Sequence, residues 1–585
     1  MMRRIDVEMT LHARKPCAKL DDGDVVLAAT PRRGSLLCSL TTLAVAIMFA
    51  VCVSDAIAGV EYTIDAPNGV GDVVSLTNAL KQLNALASRD NARVWLEAGV
   101  YDLRGVFMDS ENHLVLAAAN GAMIAGLGDV PDKTILLGGG DDSEKGRHRI
   151  LAISGTNFGY TTVSNLTVTG GYSTGNGGGI GDSGNGSVQY CRLIVSNNYA
   201  VGSNGGGGGG CFRGRAFNCL FENNGTSQWG GGLWTSGGCA LLSDTQGAWD
   251  CVFTGNYGIA GQYKYGGALK LAGKCARCTF KGNRSNHGGA VYVSDRQYVW
   301  KSNALTNTTD IVDSVFEGNY LVSGGDGSAV YNSAEVVLSN CVFAANVDSN
   351  GGQGVVCRGD LYDCVITNNS RVTSLLYDCN LERCVVSGNT VSGNAALIDK
   401  ESVSGTHTNI NCVFADNVMK NYGRISDSKT FLNCTIVGND SQAGANWGFI
   451  CNPACSLVNC VLSGNKIGND MLDIRPVSGP GGSVTNALRM TNCVFVKSQN
   501  GVGENWEGLV NCRKVADVKF VDATNGNYTP TTRSSLYNTG FADDGIVTLI
   551  GDRDIVGNRR VFGGGLDIGA YECQLIPPGF VLSFR

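Results

Sequence analysis

Only 10 prolines interrupt the 585 residues of this chain, only 16% of its residues are charged, and 5 histidines are all it has. With so few prolines and charges, the chain is rich in turns without being a disordered linker. A net charge of −6 over this length, with no dense run of Lys or Arg, excludes a nucleic-acid-binding protein of the usual electrostatic kind. The histidines that follow residue 58 (His113, His148, His287 and His407) are so far apart that no two share a local motif. No Lys-Ser/Thr pair follows the six glycines Gly205 to Gly210, which are followed instead by Cys211 and Phe212, so they form a turn and not a phosphate-binding loop.

What the chain has in abundance is glycine, 82 residues, and cysteine, 23 residues. The cysteines are ordered. A cysteine followed two residues later by a bulky apolar side chain, and usually three residues after that by asparagine, recurs from Cys191 to Cys493. CVFTGN (Cys251 to Asn256), CTFKGN (Cys278 to Asn283) and CVFADN (Cys412 to Asn417) are the clearest copies. Others start at Cys219, Cys341, Cys364, Cys384, Cys434 and Cys460, with looser copies at Cys191 and Cys493, and Ser314 opens one more. The closing asparagines are Asn224, Asn256, Asn283, Asn319, Asn346, Asn369, Asn389, Asn417, Asn439 and Asn465.

Consecutive copies lie 20 to 36 residues apart. Helical repeats hold a constant period, whereas a solenoid of short strands conserves its strands and lets its turns vary. Within a copy the apolar residues alternate, so Cys251 and Phe253 share one face and Val252 and Thr254 the other. Five residues cannot bury such a face alone. Stacking coil on coil at about 4.8 Å would align them into a Cys ladder, a Phe ladder and an Asn ladder, with Asn tolerating the tight turn that ends each strand. About 17 such coils would make a rod of roughly 80 Å. A second word, GGAL from Gly266, GGAV from Gly288, GSAV from Gly327 and GGGLW from Gly230, reads as another turn and strand of each coil.

The alternation of GGA(V/L) and FxxN words, as in FKGN from Phe280, GGAV from Gly288 and FEGN from Phe316, resembles the polymorphic outer membrane protein repeats of chlamydiae and related bacterial right-handed parallel β-helix proteins. The ending LDIGAYE, Leu566 to Glu572, resembles the closing motif of secreted bacterial β-helix proteins of the choice-of-anchor group. The resemblance spans 59 to 573. It implies export and a surface or extracellular role, and no particular chemistry. The 13 residues after Glu572 are too few for the eight strands of a membrane barrel, so none is expected within this chain.

The fold class that follows is all-β, a right-handed parallel β-helix with an N-terminal capping helix. Leu76, Ala79, Leu80, Leu83 and Leu86 carry the helical spacing. Four segments are expected: a signal peptide over 1–58, an N-terminal cap and first coils over 59–160, the repeats over 161–500, and last coils with a C-terminal cap over 501–585. The presequence has Arg32 and Arg33, an apolar run from Leu36 to Val53, and Ala56 and Ala58 before a cleavage site placed after Ala58. Met9 is an alternative start, and an uncleaved anchor is the competing reading of the apolar run.

Stacked inward cysteines have near-parallel Cβ vectors, poor geometry for disulfides, so the ladder is read as reduced packing residues. Cys451 with Cys455 and Cys211 with Cys239 are the expected bridges. KCARC, Lys274 to Cys278, has metal-like spacing but no second pair. No metal site is expected.

Catalysis finds little support. Gly140, Asp141 and Asp142 resemble part of a polygalacturonase motif whose companion words are missing, and His287 sits in a turn before GGAV. The residues assigned to ligand binding are the aromatics Trp229, Trp234, Trp249, Tyr257, Tyr263 and Tyr265, which could stack on sugars or simply cover a long turn. The reading is a secreted, cysteine-rich, adhesin-like or glycan-binding β-helix of the cell surface or outer membrane, whose partner is a polysaccharide or a neighbouring cell surface, with no cofactor. The alternative is a lyase or glycosidase on acidic polysaccharide with loop-borne residues, for which Ca2+ would be the cofactor.

Overall fold

The computed structural model of the chain describes residues 59–575 apart from 141–146, 155–159, 183–187, 203–207, 229–240, 244–246, 259–264, 272, 294–308, 323, 333–335, 349–350, 372, 394–395, 400–406, 421–423, 428, 443–450, 453–454, 474–488 and 499–507. The presequence over 1–58, Asp141, Asp142, Trp229, Trp234, Cys239 and Tyr263 lie outside the described residues.

Each repeat is one coil of a parallel β-helix, the right-handed form that parallel crossover connections favour. In one coil, Leu269–Leu271 and Lys274–Ala276 belong to the first sheet, Thr279–Lys281 to the second and Arg284–Ser285 to the third. The first sheet is two parallel ladders that fuse where Val356–Tyr362 and Leu376–Glu382 each run through both. The second sheet stacks sixteen described strands.

The repeat word maps onto this geometry residue by residue. Arg277 before the cysteine has φ 53° and Gly282 before the asparagine has φ 60°, and such left-handed pairs bracket the second-sheet strands from Thr167–Thr169 to Val461–Ser463. The same first position is Asn218, Asp250, Asp313, Asn340 or Asp363 in other coils, the residue types that tolerate this conformation best after glycine. Between the brackets, Cys278 and Phe280 point inward at 1% and 0% exposure. Phe221, Phe253, Phe280, Phe316 and Phe343 stack in register with centroids 4.8–4.9 Å apart. Burying each ring is worth about 2–3 kcal/mol.

The ladder cysteines are free thiols, but Cys191 is not a rung: it ends a first-sheet strand opposite Phe217 and is partly exposed, and Leu193, buried after the left-handed Arg192, takes the rung of that coil. Cys278 Sγ lies 3.4 Å from Ala276 O and 3.5 Å from Ala248 O of the preceding coil, so its one S–H is shared between them and the thiol is both a small apolar filler and a weak donor between coils. Ser314 takes the same place, with its hydroxyl on Val312 O at 2.8 Å. Cys211 is also a free, buried thiol, which corrects the expected bridge to Cys239: its strand, Cys211–Phe212, places it in the interior. Cys455 is disulfide-bonded. The side chain of Cys451 lies outside the described residues.

At the N-terminal end the expected helix spans Val73–Asn84, capped by Asp72 on Ser75 N at 2.9 Å. Leu76, Ala79, Leu80 and Leu83 join the core, and Asn84 bridges Val115 O and Ala117 N. At the other end the coils stop at Arg513–Lys514. The chain then turns back along the outer face of the second sheet. There Val518, Leu536 and Ile568 pack on Val461 and Val494, and Tyr528, Ala570 and Tyr571 pack on Val413, Ala415 and Val437.

Candidate functional site

Two columns of side chains meet at the corner where the third sheet turns into the first. One is set by the residue before each GGA word: Tyr265, His287 and Asp326 stack because Gly266 N bonds His287 O and Gly288 N bonds Asp326 O. The other is set by the residue just after the buried Leu or Val of that word: Lys270, Tyr292 and Tyr331 align in register while Leu269, Val291 and Val330 point inward. Glycine is required between the columns. Gly288 has φ 60°, and a Cβ there would meet Val291 O at 2.2 Å.

The columns interlock into one half-buried aromatic cluster. Tyr265 lies 5.0 Å from His287 and 4.5 Å from Tyr292 by ring centroid, and Tyr331 lies 5.1 Å from His287 and 5.8 Å from Tyr292. The imidazole thus touches two phenol rings that themselves lie 6.3 Å apart. Its Nδ1 accepts the backbone N–H of Asp326 at 3.2 Å, which leaves the ring proton on Nε2. Burial holds the His287 pKa below its ordinary value against the opposing pull of Asp326, so the ring is neutral near pH 7. Burial raises Tyr331, opposed by Arg358.

Asp326 anchors the end of the cluster, its Oδ1 accepting Gln353 N–H at 3.0 Å. The carboxylate of Asp348, on the following coil, is closed off. It pairs with Arg371 at 3.1 Å with both side chains fully buried, and Arg371 also donates to Gly352 O at 2.7 Å. Paired-carboxylate hydrolysis needs two carboxyl groups facing one substrate. Here one carboxylate borders the rings and the other is locked in the wall. Among the described residues no group of three or more His, Cys, Asp or Glu is arranged to hold a metal ion. A shallow cavity of about 60 Å³ lies elsewhere, lined by Tyr362, Asn380, Glu382, Thr408 and Ile410 among others, and shares no residue with the cluster.

Comparison with known proteins adds little to this geometry. No protein family and no curated protein matches the chain by sequence. Among solved structures it is similar to a mannuronic-acid-specific family 6 polysaccharide lyase from human gut microbiota, at 12% identity over 78% of this chain and 92% of the lyase, with a TM-score of 0.29. It is likewise similar to the tailspike of E. coli bacteriophage HK620 (12% identity, 75% and 73% covered, TM-score 0.33) and to pectate lyase Pel9A (10% identity, 84% and 90% covered, TM-score 0.26). At these scores the fold rests on the parallel ladders themselves.

Of the aromatics assigned from sequence, Tyr265 belongs to the cluster and the other described ones do not. Trp249 lies flat on Phe217 at 4.9 Å, beside Arg215, which covers Tyr160 at 3.6 Å. Tyr257 lies in the third sheet beneath Arg284, at 5.1 Å. Tyr292 and Tyr331 went unassigned although the signal was present: GGAVY and GSAVY carry tyrosine at the same repeat position. His287 was visible only as a turn residue, because its partners come from the coils on either side.

Proposed function

We propose that the chain is a saccharide-binding β-helix rod, working as a secreted or surface-associated interaction protein, and that Tyr265, His287, Tyr292 and Tyr331 are its binding platform. The observation that carries this reading is the half-buried four-ring cluster bordered, among the described residues, by the Asp326 carboxylate. Aromatic faces stack against the C–H faces of sugar rings, and hydroxyls find partners in phenols, the His287 Nε2–H and Asp326. The partner is a polysaccharide on its own or displayed on a neighbouring cell surface. The resemblance to exported repeat proteins supports the location.

The test is a glycan array probed with wild-type protein and with a Tyr292→Ala/Tyr331→Ala variant, beside incubation with uronic-acid and neutral polysaccharides with and without calcium. The expected result is binding to at least one glycan class, weakened about tenfold or more in the variant, as losing two stacked rings at about 0.5–1.5 kcal/mol each implies. Equal binding by both proteins, or none by either, overturns the platform. Release of unsaturated or reducing ends overturns the non-catalytic reading.

A further inference from the structure

His113 and His148 are 35 residues apart in sequence and share no motif. One turn of the helix removes that separation. Asn112–Ala117 and Arg149–Ser154 are neighbouring strands with Asn112 opposite Arg149, and the two imidazoles meet with centroids 5.4 Å apart and planes at 46°. Phe107 covers both, 5.3 Å from His113 and 4.1 Å from His148.

The protonation of His113 is dictated by its surroundings. The ring is fully buried, and its Nδ1 lies 2.7 Å from Val106 O. A carbonyl only accepts, so Nδ1 carries the proton and Nε2 presents a bare lone pair to the interior. Neither His113 Nε2 nor the buried Nδ1 of half-buried His148 has a hydrogen-bond partner. A histidine that donates one ring N–H to a backbone carbonyl and turns the other nitrogen inward is arranged as metal-ligating histidines are.

We propose that His113 Nε2 and His148 Nδ1 form a two-imidazole site for a divalent first-row transition ion of the zinc class. At a tetrahedral angle, two metal–nitrogen bonds of about 2.0–2.1 Å place the nitrogens about 3.3 Å apart, within reach of rings this close. Imidazole suits zinc, copper and nickel, and neutral rings are the form that binds. No third His, Cys, Asp or Glu completes the set among the described residues, so water fills the remaining positions. The site therefore exchanges its ion at micromolar concentrations and is not a structural zinc centre.

Calorimetric titration of Zn2+ into chelator-treated protein tests this, with His113→Gln, His148→Gln and the control His407→Gln, and with Co2+ absorption reporting the ligands. Wild type and H407Q should bind one ion in the micromolar range, and each of the other variants at least tenfold more weakly. Should H113Q fail to fold, H148Q carries the test, because that ring is half-exposed. No Zn2+ binding by the wild type, or wild-type affinity in folded H148Q, overturns the proposal.

Discussion

Asn465 donates two hydrogen bonds, from its backbone N–H and from its side-chain amide, to one oxygen of Asp473, each at 3.0 Å. This contact ends a column that begins at Asn198, in which each amide bonds the next asparagine's oxygen while also donating to a carbonyl of the preceding coil, as Asn283 does to Asn319 and to Phe253 O. All the amide dipoles therefore point one way, with their donor ends toward Asp473. Its other oxygen accepts Val496 N–H at 3.0 Å and Lys497 N–H at 2.8 Å, so a buried carboxylate meets four donors.

Asp473→Ala leaves those four donors without a partner and should cost about 3 kcal/mol or more, whereas Asp473→Asn should cost about half as much. Hydrogen exchange should localise the loss to the coils around Asn439 and Asn465. Protection spread evenly along the rod would contradict the column's role as a terminated stack.

The ladder thiols should resist alkylation in the native protein. Burial pushes Cys251, Cys384, Cys434 and Cys493 well above the ordinary thiol range, whereas Cys191 is partly exposed. Iodoacetamide followed by peptide mass spectrometry should label Cys191 first and the ladder only on unfolding. Cys364→Ser should cost no more than about 1 kcal/mol, since Ser314 already serves as a rung.

Glu572 ties stability to pH. It is fully buried with Asp567, Asp554 and Arg560, and its carboxylate accepts Asp567 N–H at 3.1 Å. Burial, reinforced by Asp567 and opposed by Arg560, pushes its pKa up to about 9 from the ordinary 4.5. The folded protein thus holds a proton that the unfolded chain releases. That stability is fully present below pH 4.5 and is lost as pH rises through about 9, by at most about 1.4 kcal/mol per pH unit. Thermal melts from pH 5 to 9 should show a falling Tm, and Glu572→Gln, which keeps the shape of the protonated acid, should flatten the slope.

Asn459 clamps the returning C-terminal segment. It donates to Phe541 O and accepts from Phe541 N, both at 2.8 Å. Asn459→Ala should cost about 1–3 kcal/mol locally and accelerate tryptic cleavage at Lys514, Lys519 or Arg533, while far-UV circular dichroism of the rod stays unchanged. Wild-type cleavage rates would show that the valine contacts alone hold the segment.

The strand, turn and stack were legible because each is encoded within a few residues. Alternation of Cys251, Val252 and Phe253 decides which side chains face inward, and Asn, Asp or Gly at the left-handed positions decides where the strand stops. The helix at Leu76 to Leu83 was equally local. The returning segment left a subtler trace. The residue before the cysteine forms ion pairs in some upstream coils, as Arg277 does with Asp250 and Arg383 with Asp363, and although asparagine also stands there at 218 and 340, it is asparagine in succession at 411, 433, 459 and 492. Those four amides donate to Ile550 O, Asp567 O, Phe541 O and Thr539 O. The unbroken run of asparagines is visible in the sequence, but its meaning depends on a chain 47 to 139 residues away.

By itself the sequence determined the coil, since period-two alternation and turn chemistry act over one repeat. Only the tertiary structure decided which coils' side chains meet: His287 against Tyr265 and Tyr331, His113 against His148, Asp348 shut behind Arg371, and Cys211 a thiol in the interior. The physical reason is the variable turn. With 20 to 36 residues between copies, no fixed sequence offset marks which residues stack, so neighbours across coils are settled by backbone register and not by spacing along the chain.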